Sequence, residues 1–203
     1  MSPVRSGIYF LPFILPEIVG VMASGGLVTA FGYYNPFVIL SSVLMSISAG
    51  LCTLFTVHTT QAQWVGYQFL FGIGVGIGFQ QGVVAAQTVL SLADAPVGTA
   101  MVLFFQIFGG ALFVSVAQNL FASSLVEKLV AMNIPGLSAQ DVVQAGVTHL
   151  REVVGPDYLP QLLVHYNDSI VQTFRLAVVL SCVSIIGALG MQWKNLKKPN
   201  AGN

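Results

Sequence analysis

The sequence predicts an all-α, polytopic membrane helix bundle, and three observations carry that prediction. Only seven Lys or Arg and seven Asp or Glu occur among 203 residues, while 55% are hydrophobic and the mean hydropathy is +0.82. Soluble domains carry about a quarter charged residues, so this composition excludes a water-exposed globule. Second, apolar stretches near 7–31, 36–57, 64–90, 97–121 and 169–193 each reach the length, about 20 helical residues, that crosses the hydrocarbon slab. Third, the first four are joined at 32–35, 58–63 and 91–96 by short runs of turn formers and polar residues, which makes consecutive helices antiparallel neighbours.

Amphipathic rings support these boundaries. Tyr33 and Tyr34 close the first stretch, Trp64 and Tyr67 open the third, Tyr166 precedes the fifth and Trp193 ends it, where aromatic belts settle at the headgroups. The first stretch also holds the costliest residue. Glu17 lies near the expected midplane, where a charge costs at least about 2.5–3.5 kcal/mol, so it must be neutralised, paired or facing water. Pro12 and Pro16 remove the helical partners of the Ile8 and Pro12 carbonyls one turn apart, and a kinked helix beside a carboxyl suits a proton site. Glu17 is therefore the proton-coupling candidate, the alternative being a tilt that leaves it near the outer surface.

In the third stretch Gly72, Gly74, Gly76, Gly78 and Gly82 form two small-xxx-small registers, 72–76 and 74–78, the second extended by 78–82, so neighbouring helices can approach on two faces. The run fails the dinucleotide fingerprint, because Ile77 and Phe79 stand where its last glycine belongs and no strand precedes it. Gln80, Gln81, Gln87 and Gln106 fall within apolar stretches and must face protein or water. Gln80 and Gln87 share a face and, with Gln106, are the substrate-cavity candidates, an amide offering both donors and acceptors without charge. The alternative is bonding between helices, and Gln81, about 100° away, is expected to bond a neighbouring helix.

Between 122 and 168 the chemistry changes: five of the seven acidic residues (Glu127, Asp141, Glu152, Asp157 and Asp168) gather with Lys128 and Arg151, so this is expected to be a water-facing loop. Ser138 and Asp141 look like the cap of a short helix to about Val154, bracketed by Pro135-Gly136 and Gly155-Pro156. In the fifth stretch Arg175 is expected either to snorkel toward Asp168 and the headgroups or to face substrate as a cation.

Several function classes are excluded. No cluster of Lys and Arg lies outside the C-terminal tail, so no basic face follows a nucleic acid backbone. His58, His149 and His165 show no metal-ligand spacing, and no nucleophile elbow or P-loop occurs, so neither an enzyme nor a metal or other cofactor is expected. Cys52 and Cys182 read as small core residues. Arg5, Lys128 and Arg151 on one side balance Lys194, Lys197 and Lys198 on the other, but the tail lysines lie closest to a pass and favour a cytoplasmic C-terminus. Met1 and 122–168 would then lie outside, and a first helix beginning at Gly7 with its N-terminus outside is expected of a piece of something longer.

Three segments carry a family resemblance. Gly25 to Tyr34 fits the G-x-L-a-D-r-x-G-r-k frame of the cytoplasmic loop in the major facilitator superfamily: Gly25, Leu27 and Gly32 occupy their places, while Thr29 stands at the acidic position and Tyr33 and Tyr34 at the basic ones. Gly72 to Gln81, continuing to Leu90, is similar to the fungal fourteen-spanner drug:proton antiporters, with Gly82 in place of their usual proline. The ending, Tyr166-Asn167 through Phe174 to Trp193-Lys194, resembles theirs as well. The resemblance covers almost the whole chain as the last five helices, a partial C-terminal half, and places the C-terminus in the cytoplasm. It implies proton-coupled efflux of small hydrophobic compounds, by rocking of this bundle against a missing N-terminal helix bundle about a midplane cavity, from a multi-pass position most naturally in the plasma membrane. The rival expectation is a truncated or interaction-only membrane protein without transport activity, pairing through its glycine faces.

Overall fold

The computed structural model of the chain describes residues 3–132 and 158–196. Those residues form helices α1 (Pro3–Phe31), α2 (Asn35–Cys52), α3 (Gln61–Phe79), α4 (Gln81–Val89), α5 (Ala95–Ala131) and α6 (Leu159–Leu189). Five spans are long and apolar enough to cross a membrane, with α3 and α4 together making one of them. The chain is an integral, multi-pass membrane protein. Its ends are set by local chemistry: Pro36, Pro96 and Pro160 sit in first turns, where a missing N–H costs nothing, and the Gln63 side chain accepts from the Thr60 N–H at 3.0 Å to cap α3.

Helix α3 is the hub. It packs along α1 on one side and α2 on another, α2 packs along α6, α6 along α5, and α5 returns to α4. A Cβ on Gly72 would run into the Phe13 carbonyl and one on Gly76 into the Glu17 carbonyl, so the two backbones of α1 and α3 lie against each other. Gly20 answers from α1, its missing Cβ standing 3.2 Å from the Gly76 Cα. On the other face Gly74 meets Leu44 and Met45 at 3.1 Å, and Gly78 meets Ser41, whose hydroxyl donates to the Gly74 carbonyl at 2.7 Å. Gly82 and Gly98 serve the α4–α5 crossing, against Val102 at 3.1 Å and against Leu90.

Several expected boundaries differ. Helix α5 runs on to Ala131 and α6 begins at Leu159, so residues 122–131 and 159–168 are helix rather than loop. The charges there belong to helix surfaces: Lys128 pairs with Asp168 at 3.8 Å, above a core of Leu125, Leu129 and Leu162 packed with Phe121, Met132 and Tyr166. Tyr166 thus lies inside α6, and Trp193 lies beyond its end. Helix α2 stops at Cys52, where Thr53 turns its hydroxyl to the Gly50 carbonyl at 2.6 Å. The span 64–90 is interrupted at Gln80. The expected short helix at 138–154, with Asp141 and Arg151, lies outside the described residues, as do Lys197 and Lys198.

The close approach gives a direct test. Gly76→Val forces a branched side chain onto the Glu17 carbonyl and should cost about 1–3 kcal/mol, whereas Gly25→Ala, with open space around it, should leave the melting temperature of the detergent-solubilised protein unchanged.

Candidate functional site

Glu17 stands half-buried on the α1 face that meets α3, its own carbonyl against Gly76. It makes no ion pair among the described residues. Pro12 and Pro16 sit inside α1, which continues through them as one helix to Phe31. Toward the N-terminal end of this seam the rings gather: Phe13 lies 5.2 Å from Phe10 and 5.8 Å from Phe71, and Tyr9 meets Trp64 edge-on at 5.4 Å. Tyr9, Gln61, Trp64 and Gln68 line a cavity of about 360 Å³ at this end.

The expected cavity glutamines all stand at exposed positions. Gln80 and Gln87 are both exposed, and the break at Gln80 interrupts the helix that was to hold them on one face. Gln106 is exposed on α5. Gln81 is only 1% exposed and donates to the Ile77 carbonyl at 3.0 Å, so it bonds its own preceding turn rather than a neighbouring helix. Its backbone acceptor is local because the break at Gln80 leaves that turn open. Arg175 is exposed, and Asp168, its expected partner, is taken by Lys128.

The structure adds polar groups of the same kind. Gln118 and Thr173, with Tyr166, Phe121 and Phe174, line a mostly apolar cavity of about 350 Å³ between α5 and α6. Gln68 and Gln118 are amides inside apolar passes, so the desolvation argument used for the other glutamines would have found them. Ser115, Asn119 and Ser123, four apart, run along exposed α5 with Leu112, Val116 and Leu120 beside a third cavity of about 420 Å³. At the same end Asn167 donates to the Phe55 carbonyl at 2.8 Å, and the Phe55 ring lies tilted against Tyr67 at 5.5 Å and edge-on to Phe174 at 5.8 Å.

The opposite end is closed differently. The α1–α2 turn needs Gly32 at φ 79°, a conformation other residues rarely adopt. Tyr34, expected at the headgroups, is fully buried and donates its hydroxyl to the Gln192 carbonyl, while burial raises its pKa and keeps it a donor. Of the loop-frame residues, Leu27 is exposed, Gly25 has open space, and Thr29 bonds the carbonyls of Gly25 and Gly26 in its own helix at 3.0 and 2.8 Å. Among the described residues no group of three His, Cys, Asp or Glu could hold a metal.

Two contacts at the Asn167 end should separate in a stability measurement. Asn167→Ala leaves the Phe55 carbonyl without its donor and should cost about 1 kcal/mol, while Lys128→Ala, removing a long and half-exposed pair, should change stability by less than about 0.5 kcal/mol.

No family model matches the chain. No solved structure matches it either. Curated relatives do. The chain is 48% identical over 97% of its length to "Efflux pump aflT" of Aspergillus parasiticus, of which it covers 38%. It is 46% identical over 97% of its length to "MFS-type efflux pump MFS1" of Trichophyton rubrum, covering 36% of that protein. It is 42% identical over 98% of its length to "Efflux pump roqT" of Penicillium rubens, again covering 36%. The chain therefore spans well under half of the length of these relatives. Identity of this size along nearly the entire chain, to relatives named MFS-type and efflux pumps, settles the family: the chain belongs to the major facilitator superfamily, whose matched members are transporters.

Proposed function

We propose that this chain is part of a proton-coupled efflux transporter for small hydrophobic compounds, supplying five helices of one bundle and depending on a partner bundle for the other wall of the transport cavity. The observation that carries this reading is the match along nearly the whole chain to proteins named efflux pumps. The uncovered face of α5 supports it. Only Leu125 and Leu129 of that helix are buried, yet it carries Gln106, Ser115 and Asn119 on exposed positions within an apolar span. Ser115 and Asn119 each donate once within α5, to the Ala111 and Ser115 carbonyls at 3.0 and 2.9 Å. An amide such as Gln106 or Asn119 has further donors and acceptors that are costly in hydrocarbon, so this face fits a wall completed by further helices and a wet cavity. Gln106, with Gln80 and Gln87 as the earlier candidates, would line that cavity, and Arg175 would sit at its rim or snorkel outward.

The interaction-only reading loses its main support. The glycine faces that were to recruit a partner are occupied inside the chain, Gly72 and Gly76 by α1, Gly74 and Gly78 by α2.

Glu17 is the coupling group in this proposal, because it is the one carboxylate in the middle of a span and sits on the seam where α1 lies closest to α3. In the whole transporter Glu17→Gln preserves shape and hydrogen bonding but cannot titrate. Export of a hydrophobic dye should lose its dependence on the proton gradient while membrane abundance stays normal. Unchanged gradient dependence would assign Glu17 a purely structural place in the seam. The orientation follows the tail lysines, with Met1 and 122–168 outside and Lys194 onward in the cytoplasm of a plasma-membrane protein. A reporter fused after Asn203 should resist external protease in intact cells, and its digestion there would reverse the assignment.

A further inference from the structure

We propose that the segment following α6, Gly190 to Leu196, is a releasable strap that ties three helix ends together and must let go before they can separate. Helices α1 and α4 make no extended contact with α6. The strap supplies that connection. From the α1–α2 turn, Tyr34 donates its hydroxyl to the Gln192 carbonyl, and the Asn35 amide donates to the Met191 and Gln192 carbonyls, both at 3.2 Å. In return the Leu196 N–H donates to the Gly32 carbonyl at 2.8 Å, which the positive φ of Gly32 turns outward from its helix. The Lys194 ammonium reaches the Val89 carbonyl at the end of α4, at 3.3 Å.

These bonds answer a standing problem of helix ends. The last carbonyls of a helix have no partner within it and take one from water, a side chain or another segment. The strap donates to the Val89 carbonyl that ends α4 and to the Gly32 carbonyl just past α1, while Tyr34 and Asn35 donate to its own Met191 and Gln192 carbonyls just past α6. It also covers apolar surface: Met191 and Leu196 close over Val28, Tyr34 and Ala85, with Val84 and Val89 beside them. Val28 and Tyr34 are 2% and 0% exposed beneath it, although the neighbouring Phe31 and Tyr33 on the same turn are exposed.

The device is set apart by its chemistry. The turn holds Thr29, Tyr33 and Tyr34 and no charge of its own, so nothing there forms an ion pair. Hydrogen bonds to carbonyl oxygens and a small apolar cluster hold it, contacts that break and re-form without covalent change. Release would uncouple α6 from α1 and α4 at this end alone, leaving the side-chain-free packing on α3 in place. Its consequence for transport, an end that can open, rests on the efflux reading, but the strap itself does not.

The test uses chemical access rather than transport. In the 203-residue chain with Cys52→Ala and Cys182→Ala, Val28→Cys places one thiol under the strap, and Leu92→Cys, at a site 98% exposed near the same end, serves as the reference. With a water-soluble maleimide, Val28→Cys should react far more slowly than the reference. Adding Tyr34→Phe, which keeps the ring and removes one hydrogen bond, should speed it by roughly three- to tenfold. Ending the chain after Gly190 should bring it close to the reference rate. Equal rates in all three chains, fast or slow, would overturn the proposal: fast means that nothing covers Val28, slow that helix packing alone does. Should the shortened chain fail to fold, the Tyr34→Phe rate decides. In the whole transporter Tyr34→Phe should change the export rate. No export by the unsubstituted whole transporter, with the labelling pattern intact, would sink the efflux reading and leave the strap standing, while export by it with equal labelling rates in the three chains would do the reverse.

Discussion

The bundle depends on the absence of side chains along α3. Lipid tails are as apolar as leucine, so helices in a bilayer gain little by burying hydrophobic surface against one another and must be held by close packing. Gly72 and Gly76 bring the α3 backbone onto the carbonyls of Phe13 and Glu17, and Gly74 and Gly78 bring it onto α2 at Leu44, Met45 and Ser41. At the first face the glycine hydrogens point at backbone oxygens, an arrangement suited to weak Cα–H···O contacts. The rest is placed from there: α2 carries α6, α6 carries the Asn167 end of α5, and Gly82 and Gly98 bring the other end of α5 to α4. Between its two ends α5 is left uncovered.

Much of this was legible in residue spacing. The two glycine registers differ by two positions, about 200° on a helix, and so had to serve different neighbours. The apolar stretches located five spans for the same reason, since span length is fixed by the slab and not by tertiary contacts. What spacing could not supply is who satisfies whom. Lys128 and Asp168 read as loop charges because a charge in sequence says only that water or a partner is near; here each sits on a helix and the partner is the other. Gln81 shows the same limit, since desolvation demands a partner for an amide but does not distinguish a neighbouring helix from its own preceding turn.

Tyr34 is the clearest case. A tyrosine at the end of an apolar stretch ordinarily belongs to the interfacial belt, and its burial here depends on a segment 158 residues later in the chain folding back over it. No local pattern encodes that contact. The loop frame of the family could be read at Gly25, Leu27 and Gly32, and its missing charges could be read too; Thr29 at the acidic position bonds its own helix, but the Tyr34 hydroxyl at a basic position bonds a carbonyl from the far end of the chain.

Function follows from what the chain leaves open. A bundle closed on itself would bury the polar groups of α5, whereas this one presents Gln106, Ser115 and Asn119 outward while holding a carboxylate at the α1–α3 seam. Such a surface suits one wall of a cavity rather than a finished channel. Reconstitution tests this most directly: vesicles with an imposed proton gradient and a fluorescent hydrophobic dye, containing either the 203-residue chain alone or the chain joined behind the remaining helices of its 48%-identical relative. Gradient-driven dye movement is expected in the second preparation and none in the first; movement driven by the chain alone, or none in either, would show that this chain is not one wall of a proton-coupled efflux cavity.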